Sequence, residues 1–473
     1  MRLLVALALL GSATALRAAD KDELFTAKPL TAKDSFTPGI EGPGCDAAGN
    51  LFVVNLKLNG DGAKKNGDIA LITPGGKPDV YVNLPEKSVG NGIVFDTKGF
   101  MYVADYTGHN VLKIDPKTKM ISVFAHEPTA NQPNDLAIAA DGTLYASDPN
   151  WAKGTGQLWK ISTAGKFTKV ASDMGTTNGI DVSPDGKTLY VNESVQRNVW
   201  SFPIKADGTL GEKKLIKKFD DHGFDGMRCD LDGNLYITRY GSGTVVKMSP
   251  GGEILKEINV LGKKPSNICF GGPDGRTAYV TEVEFNRVVT FRVDRPGLAW
   301  ARLHPPAAGE TELFNGKDLT GWGYMKGGKF ESFDGKTEAS DKRYSAKDGV
   351  LVVNPGKGTH QLWTAAKFPK DFELRLEFRA EKNADSGLFV RGPQLQVRDY
   401  LVAGPYKDLK KYKPQDWNEI VVVVRGEVAH CTCNGELLTD KMKVPATGPI
   451  GLEADRGQME YRKIRLKELN SPK

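Results

Sequence analysis

A turn that contains glycine recurs six times between residues 40 and 290, and each copy leads into a short apolar strand. The separations of successive turn glycines are 50, 43, 44, 47 and 42 residues, a period typical of units built from four strands. Six such units predict a six-bladed β-propeller, in which the blades surround a central channel. The turn glycines are Gly49, Gly99, Gly142, Gly186, Gly233 and Gly275.

A second regularity is measured from these glycines. The residue eight positions before each of them is polar, and it begins an apolar strand that ends at the turn. If that strand is the innermost of its blade, the six side chains form a ring at one mouth of the channel. The ring residues are Glu41, Asn91, Asn134, Asn178, Asp225 and Asn267. The strand that returns to the same face also ends in polar residues: Asn55, Asp105, Asp148, Glu193, Arg239 and Glu282.

The ring offers carboxylate and amide oxygens and contains no thiolate or imidazole. Such donors favour hard divalent cations, so we expect Ca²⁺ first, then Mg²⁺ or Mn²⁺, with Zn²⁺ less well matched. Glu41 and Asp225 would balance the charge of the cation, and Asn178 would add a neutral oxygen. The alternative is that these residues only close turns and cap strands, because a repeated fold can repeat a turn residue.

Composition excludes several other classes of protein. The 473 residues are 40% hydrophobic, and the formal charge of +6 comes from scattered Lys and Arg, so we expect no nucleic acid or membrane partner. Arg2, the apolar run that follows it and the small residues after that run predict a signal peptide over residues 1–19. A periplasmic or secreted protein is therefore expected. The five cysteines match neither a disulfide framework nor a zinc site, which predicts buried free thiols.

The predicted propeller, assigned to residues 20–298, resembles the calcium-dependent sugar-lactone hydrolases of the gluconolactonase and regucalcin-like superfamily. The resemblance implies that Glu41, Asn178 and Asp225 bind the metal and that Asp225 acts as general base, with Asp148 as the second candidate. It rests on Glu41-Gly42-Pro43, Asn134-Asp135, Asp148-Pro149, Asn178-Gly179 and Asp225-Gly226.

The same resemblance implies substrate contacts around the metal. Asn134 would contact metal-bound water or substrate, and Asn91 and Asn267 complete the ring as substrate-binding candidates. In the family an arginine often stands two residues before the Asn-Asp pair, but this chain has Gln132 there. Gln132 is therefore a substrate-binding candidate without the charge of that arginine.

After a predicted linker over residues 299–310, longer strands alternate apolar and polar residues and predict an antiparallel β-sandwich over residues 311–473. This part resembles the 3-keto-disaccharide hydrolase domain family, which implies a concanavalin-like jelly roll that binds or hydrolyses oxidised glycosides. The matching stretches begin at Leu313 (LFNGKDLTGW), Asp385 (DSGLFVRG) and Gly451 (GLEADRGQMEYRKIRLKEL).

Two departures affect the implied site of the second domain. The family usually has asparagine where this chain has Asp385, and glutamate where it has Gln394, so a base and a charged metal ligand are missing at position 394. Trp363 and Trp417 are candidates either for stacking on a sugar or for the sandwich core. The polar candidates are Asp385, Arg391, Gln394, Gln396 and Asp399, with His360 as an acid or base.

Together these features predict an exported, all-β hydrolase that acts on a small carbohydrate. The propeller would open a sugar lactone or a related ester with a divalent cation, and the sandwich would bind or hydrolyse 3-keto-glycosides. The competing interpretation is a non-catalytic propeller scaffold that carries a glycan-binding sandwich module.

Overall fold

The computed structural model describes residues 24–57, 66–305, 309–356, 360–402 and 404–469. The chain divides into two compact units, Met1–Leu303 and His304–Lys473. The predicted signal peptide lies outside the described residues. Within the described ranges, no helix has the length and apolarity that a membrane span requires.

The first unit consists of six four-stranded antiparallel sheets, which confirms the predicted all-β propeller. Strand β1 (Lys28–Pro29) is the outermost strand of the sixth sheet, so the N-terminal segment closes the ring. Blade 1 contains β2 (Ile40–Cys45), β3 (Leu51–Asn55), β4 (Asp68–Ile72) and β5 (Pro78–Asn83). Blade 2 contains β6 (Gly90–Phe95), β7 (Met101–Asp105), β8 (Asn110–Ile114) and β9 (Ile121–His126). Blade 3 contains β10 (Leu136–Ile138), β11 (Leu144–Asn150), β12 (Thr155–Ile161) and β13 (Phe167–Met174). Blade 4 contains β14 (Thr177–Val182), β15 (Thr188–Glu193), β16 (Asn198–Pro203) and β17 (Lys214–Lys218). Blade 5 contains β18 (Met227–Cys229), β19 (Leu235–Arg239), β20 (Thr244–Met248) and β21 (Ile254–Asn259). Blade 6 contains β22 (Pro265–Gly271), β23 (Thr277–Glu282) and β24 (Arg287–Arg292), together with β1.

The turn that set the sequence period joins the first two strands of each blade. All six turn glycines have φ between 70° and 87°, a conformation that favours glycine. An aspartate closes several of these turns; in blade 1, Asp46 accepts hydrogen bonds from the backbone N–H groups of Ala48 and Asn50, both at 2.9 Å.

The apolar cores of the propeller lie between blades. Six clusters of buried side chains each draw on two neighbouring blades, and together they close the ring. Between blades 1 and 2, for example, Val54 and Ile69 pack with Ile93 and Val103. Because both faces of an inner strand are covered, these strands have nearly continuous apolar sequences. All five cysteines are free and buried, as predicted.

Glycines let the innermost strands of adjacent blades approach closely. A Cβ atom at Gly92 would lie 2.3 Å from Asp135 Oδ1 and 2.8 Å from Asp135 Cα. A Cβ atom at Gly226 would lie 1.9 Å from Asn267 Oδ1. The glycine directly follows the ring residue in four of the six blades, so the approach occurs at the mouth of the channel.

The first residues of the predicted linker belong to helix α1 (Leu298–Leu303), which packs against the propeller. Leu298 belongs to an apolar cluster of blades 4 and 5, and Trp300 Nε1 donates a 3.1 Å hydrogen bond to the carbonyl of Gly272. The guanidinium of Arg302 donates to the carbonyl of Ile138, at the end of an innermost strand. These anchored side chains hold α1 at the end of the channel opposite the ring residues.

The second unit is a two-sheet sandwich, in agreement with the predicted jelly-roll class. Its core lies between the sheets, and strand β31 (Phe372–Ala380) shows the expected strict alternation of buried and half-buried residues. The larger sheet contains β25 (Glu310–Glu312), β28 (Tyr344–Lys347), β29 (Val350–Val353), β31 (Phe372–Ala380), β34 (Asn418–Arg425), β35 (Val428–Cys433), β36 (Glu436–Lys443) and β38 (Met459–Glu468). The six-stranded sheet contains β26 (Trp322–Lys326), β27 (Lys329–Ser332), β30 (His360–Thr364), β32 (Asp385–Val390), β33 (Gln394–Arg398) and β37 (Ile450–Ala454).

The two kinds of glycine predict different costs of substitution. Gly186→Ala should lower the free energy of unfolding by about 1 kcal/mol, because only the positive φ is strained and no atom lies within 4 Å of the new Cβ. Gly92→Ala should lower it by about 3 kcal/mol, because the neighbouring backbone must move. Denaturant unfolding of the two variants measures the difference, and equal losses would contradict the packing argument.

Candidate active site

Five of the six ring residues line one cavity of about 780 Å³ at the channel mouth. The sixth, Asn267, is buried, and its amide is close enough to Glu41 to lower the pKa of that carboxyl. The sequence rule of eight residues before each turn glycine therefore identified side chains that the fold brings together. The five cavity residues are Glu41, Asn91, Asn134, Asn178 and Asp225.

A recurrent break in strand pairing directs these side chains into the channel. The register of the inner hairpin shifts between Glu41 and Gly44, and equivalent shifts occur in blades 2, 4 and 6. In blades 3 and 5 the innermost strand begins only after the ring residue, at Leu136 and Met227. Irregular pairing at a sheet end turns a side chain away from the regular pleat, which here points it into the cavity.

The site brings two carboxyl groups together in a poorly hydrated position. Burial raises the pKa of Glu41 to about 8, despite a 3.1 Å hydrogen bond from the backbone N–H of Gly42. Burial, followed by the nearby charge of Glu41, raises the pKa of Asp225 well above its ordinary value. A bound cation would favour the ionised forms of both carboxyl groups.

The amide groups of the ring also fit a cation. Asn178 Nδ2 donates a 3.0 Å hydrogen bond to Ser194 Oγ, which orients the amide. Among the described residues, Oδ1 of Asn178 and Oδ1 of Asn91 are buried without a hydrogen-bond partner. Leaving such an acceptor unsatisfied costs about 1–3 kcal/mol, and coordination to a hard cation would remove that cost.

A buried ion pair beside the ring does not compete for the cation. Arg228 binds Asp135 through both terminal nitrogens, at 2.7 and 2.8 Å, so this carboxylate is already neutralised. No group of three or more His, Cys, Asp or Glu side chains suited to a metal is present in the described part of the chain. The candidate centre instead combines two carboxylates, Glu41 and Asp225, with amide oxygens, and this donor set fits Ca²⁺ or another hard cation.

The structure does not support Asp148 as a second general base. Its buried carboxylate accepts hydrogen bonds from the backbone N–H groups of Asn131 and Gln132 and from the side chains of Gln157 and Trp159. These four donors fix the carboxylate in place, and Asp148 is not among the residues that line the cavity.

The other acidic residues that end a return strand have the same role as Asp148. Asp105 accepts a hydrogen bond from the N–H of Gly108, and Glu282 accepts bonds from the N–H groups of Glu284 and Phe285. This second set closes loops, whereas the first set lines the cavity. The two sets therefore differ in function although both lie at the same end of the blades.

Several cavity residues escaped the sequence analysis because they lie in loops without a fixed spacing. His222 is partly exposed in the loop before Asp225, and Arg197 follows the return strand of blade 4. Leu56, Tyr106 and Tyr240 each come directly after the last polar residue of a return strand, and this repeated position was the available signal. Gln132 lies next to Tyr106 rather than on the cavity wall.

The second-domain candidates separate into two groups. Arg391 is buried and donates to the backbone carbonyls of Lys370, Gly426 and Pro445, so it stabilises loops. Asp399 accepts hydrogen bonds from Asn383, Tyr412 and Gln415, with a similar structural effect.

The remaining candidates lie on the six-stranded sheet. His360 begins β30 beside Tyr324 on the core side and is 2.9 Å from Asp341 Oδ2. Asp385, Gln394 and Gln396 share the face that points away from the core, because their neighbours Leu388, Leu395 and Val397 are core residues.

Comparisons with known proteins agree with the division of the chain into a propeller and a sandwich. The family profile of the SMP-30/gluconolactonase/LRE-like region matches residues 65–284. Regucalcin of Xenopus laevis is 30% identical over 246 residues, which cover 41% of this chain and 82% of the relative. The chain belongs to the SMP-30/gluconolactonase family.

Two further relatives show the extent of the family likeness. The gluconolactonase of Zymomonas mobilis is 27% identical over 216 residues, and the match spans 40% of this chain and 60% of that enzyme. The structure of a calcium-binding protein, regucalcin, from Agrobacterium tumefaciens has a TM-score of 0.50 and 21% identity, covering 58% of this chain and 95% of that one, and supports the fold. Residues 309–467 match a separate profile, the 3-keto-alpha-glucoside-1,2-lyase-like domain. Both resemblances stated from the sequence are thereby confirmed.

The raised pKa of Glu41 predicts how stability depends on pH in chelator-treated protein. The unfolded chain loses this proton near the ordinary pKa of 4.5, whereas the folded protein holds it to about pH 8. The unfolding temperature should therefore decrease as the pH is raised from 4.5 to 8. Glu41→Gln should flatten that fall. Added Ca²⁺ should raise the unfolding temperature more at pH 8 than at pH 5.5, because protons compete with the cation less. Scanning calorimetry tests this, and an unchanged pH profile in Glu41→Gln would contradict it.

Proposed function

We propose that the propeller hydrolyses a sugar lactone with a divalent cation, preferably Ca²⁺, held by Glu41, Asn178 and Asp225. The observation that carries this proposal is the pairing of a buried carboxylate, Glu41, and a half-buried one, Asp225, with unpartnered amide oxygens in one cavity. Family membership supports it, since the relative from Zymomonas mobilis is a gluconolactonase.

The residues of the cavity divide the chemical work. When bound, the cation would polarise the lactone carbonyl as a Lewis acid. Asp225 is the more exposed of the two ring carboxylates, and its raised pKa suits a general base that takes a proton from the attacking water. The water oxygen adds to the carbonyl carbon, the ring C–O bond breaks, and the ring oxygen takes up a proton to give the hydroxy acid.

The cavity walls provide both kinds of contact that an oxidised sugar needs. Ser194, Arg197 and His222 line the cavity and offer polar atoms to hydroxyl groups. Trp151 and Tyr240 are partly exposed on the same wall and present apolar ring faces. Arg197 could also supply the positive charge that the family often places where this chain has Gln132.

We propose that the second domain acts on 3-keto-glycosides, as its family match suggests. We also propose export to the periplasm or medium, on the basis of the signal peptide predicted over residues 1–19. A two-domain exported enzyme could then act on successive forms of an oxidised carbohydrate outside the cytoplasm.

Asp225→Asn should abolish lactonase activity while leaving the fold intact. Loss of the base alone lowers the rate of hydrolysis by about 100-fold or more. Loss of one negatively charged ligand also weakens cation binding. The measurement is acid release from a panel of sugar lactones at fixed Ca²⁺, with the Ca²⁺-induced rise in unfolding temperature as a second readout.

Asp220→Asn is the matched control, because this exposed carboxylate lies five residues away and outside the cavity. It should keep wild-type activity and cation response. Equal rates for wild type and Asp225→Asn would reject the proposed mechanism. Cation binding by a wild type that hydrolyses none of the lactones would favour the competing role as a binding scaffold.

A further inference from the structure

One face of the six-stranded sheet carries a polar cluster around Glu453. Ile450 and Leu452 of β37 point into the sandwich core, so Gly451 and Glu453 lie on the opposite face. The residue Glu453 is only 7% exposed, although it carries a carboxylate. A carboxylate this deeply buried on a sheet face requires hydrogen-bonding partners.

Both side-chain partners of Glu453 are neutral amides. Gln361 stands directly opposite on β30, and its Nε2 donates a 3.0 Å hydrogen bond to Glu453 Oε1. Gln394 Nε2 donates a 2.6 Å hydrogen bond to Oε2. The Gln394 side chain reaches this position by crossing Gly387, where a Cβ atom would lie 2.1 Å from Gln394 Nε2.

The neighbouring carboxylate on this face is in a different electrostatic state. Asp385 is 3.2 Å from Arg398 and 3.6 Å from Arg456, so its carboxylate already forms ion pairs with two guanidinium groups. Glu453 has no such ion pair among the described residues. Of the two carboxylates, Glu453 is therefore the one that is available to accept a proton from a ligand.

An aromatic wall stands beside the cluster. The rings of Trp363 and Phe389 lie with centroids 5.2 Å apart, and both side chains are half-buried on this face. Gly451 makes room for them, since a Cβ atom there would lie 2.6 Å from the Trp363 ring. A pyranose ring that packs on such a wall places its polar edge next to neighbouring hydrogen-bonding groups.

We infer that Glu453 is the general base of the second domain and replaces the carboxylate that the family resemblance would place at position 394. The inference rests on the proposed action of this domain on 3-keto-glycosides. The Gln394–Glu453 hydrogen bond is the decisive contact, because it puts a carboxylate from another strand next to the position where one is missing.

The proton transfer that this assignment implies is balanced without an added reactant. The keto group at C3 of the sugar acidifies the hydrogen on C2, and a Glu453 oxygen takes that proton. The C2–H electron pair forms a C1–C2 double bond, and the bond between C1 and the glycosidic oxygen breaks. Glu453 then returns the proton to the departing oxygen, which leaves as an alcohol, and the carboxylate is regenerated.

The test uses the full-length protein and p-nitrophenyl 3-keto-α-glucoside. Glu453→Gln should lower the release of p-nitrophenol by about 100-fold or more, while substrate binding is retained. It should also abolish the exchange of the C2 hydrogen with deuterated solvent, which NMR detects and which a purely structural residue would not control. Glu427→Gln is the matched control, since this exposed glutamate lies on a turn, and it should behave as wild type.

A double variant that exchanges the amide and the carboxylate controls for the possibility that the single variant fails to fold. Glu453→Gln combined with Gln394→Glu keeps one amide and one carboxylate in the same hydrogen-bonded pair, and should recover activity to within about tenfold of wild type. A wild type that is inactive on all 3-keto-glycosides would refute the proposed function of the domain. An active wild type together with a folded Glu453→Gln variant of equal rate would refute the role of Glu453 alone.

Discussion

The close approach of innermost strands in adjacent blades is the constraint on which the propeller site depends. The glycines that follow the ring residues leave no room for a Cβ, and polar groups of the next blade occupy that space: Asp135 at Gly92 and Asn267 at Gly226. This packing narrows the channel, and burial is the largest cause that raises the pKa of both ring carboxylates. The raised pKa values of Glu41 and Asp225 are therefore consequences of backbone packing as much as of the residues themselves.

Charge balance then separates the acidic groups at this end of the molecule. Asp135 is neutralised by Arg228, and Asp148 is surrounded by four hydrogen-bond donors. Glu41 and Asp225 form no ion pair among the described residues, so their carboxylates are the part of the site that a divalent cation would complete. Binding of such a cation would stabilise the folded protein, because it would pair with two carboxylates and with amide oxygens that have no other partner.

The periodic part of the molecule could be predicted from the sequence, because each blade repeats one local arrangement. The apolar–polar alternation predicted strand β31, and the turn residues predicted the positive φ of the six turn glycines. Side chains without a repeat were missed: His222 and Arg197 enter the cavity from loops, and α1 contains too few residues to show a helical period. The position of Asp148 at the end of a strand predicted its neighbourhood but not the four hydrogen-bond donors that surround its carboxylate.

The second domain shows why a motif read along the chain can understate a site. Gln394 suggested that a base had been lost, yet the sheet brings Glu453, 59 residues further on, within hydrogen-bonding distance of it. Gly387 permits this contact, and Gln361 fixes the other oxygen of the carboxylate. The chemistry of a sheet face depends on the set of side chains that share it, so a carboxylate on β37 can stand next to a position on β33 although β32 lies between the two strands. On the proposed assignment, the carboxylate missing at position 394 is supplied by Glu453, the other member of the same hydrogen-bonded pair.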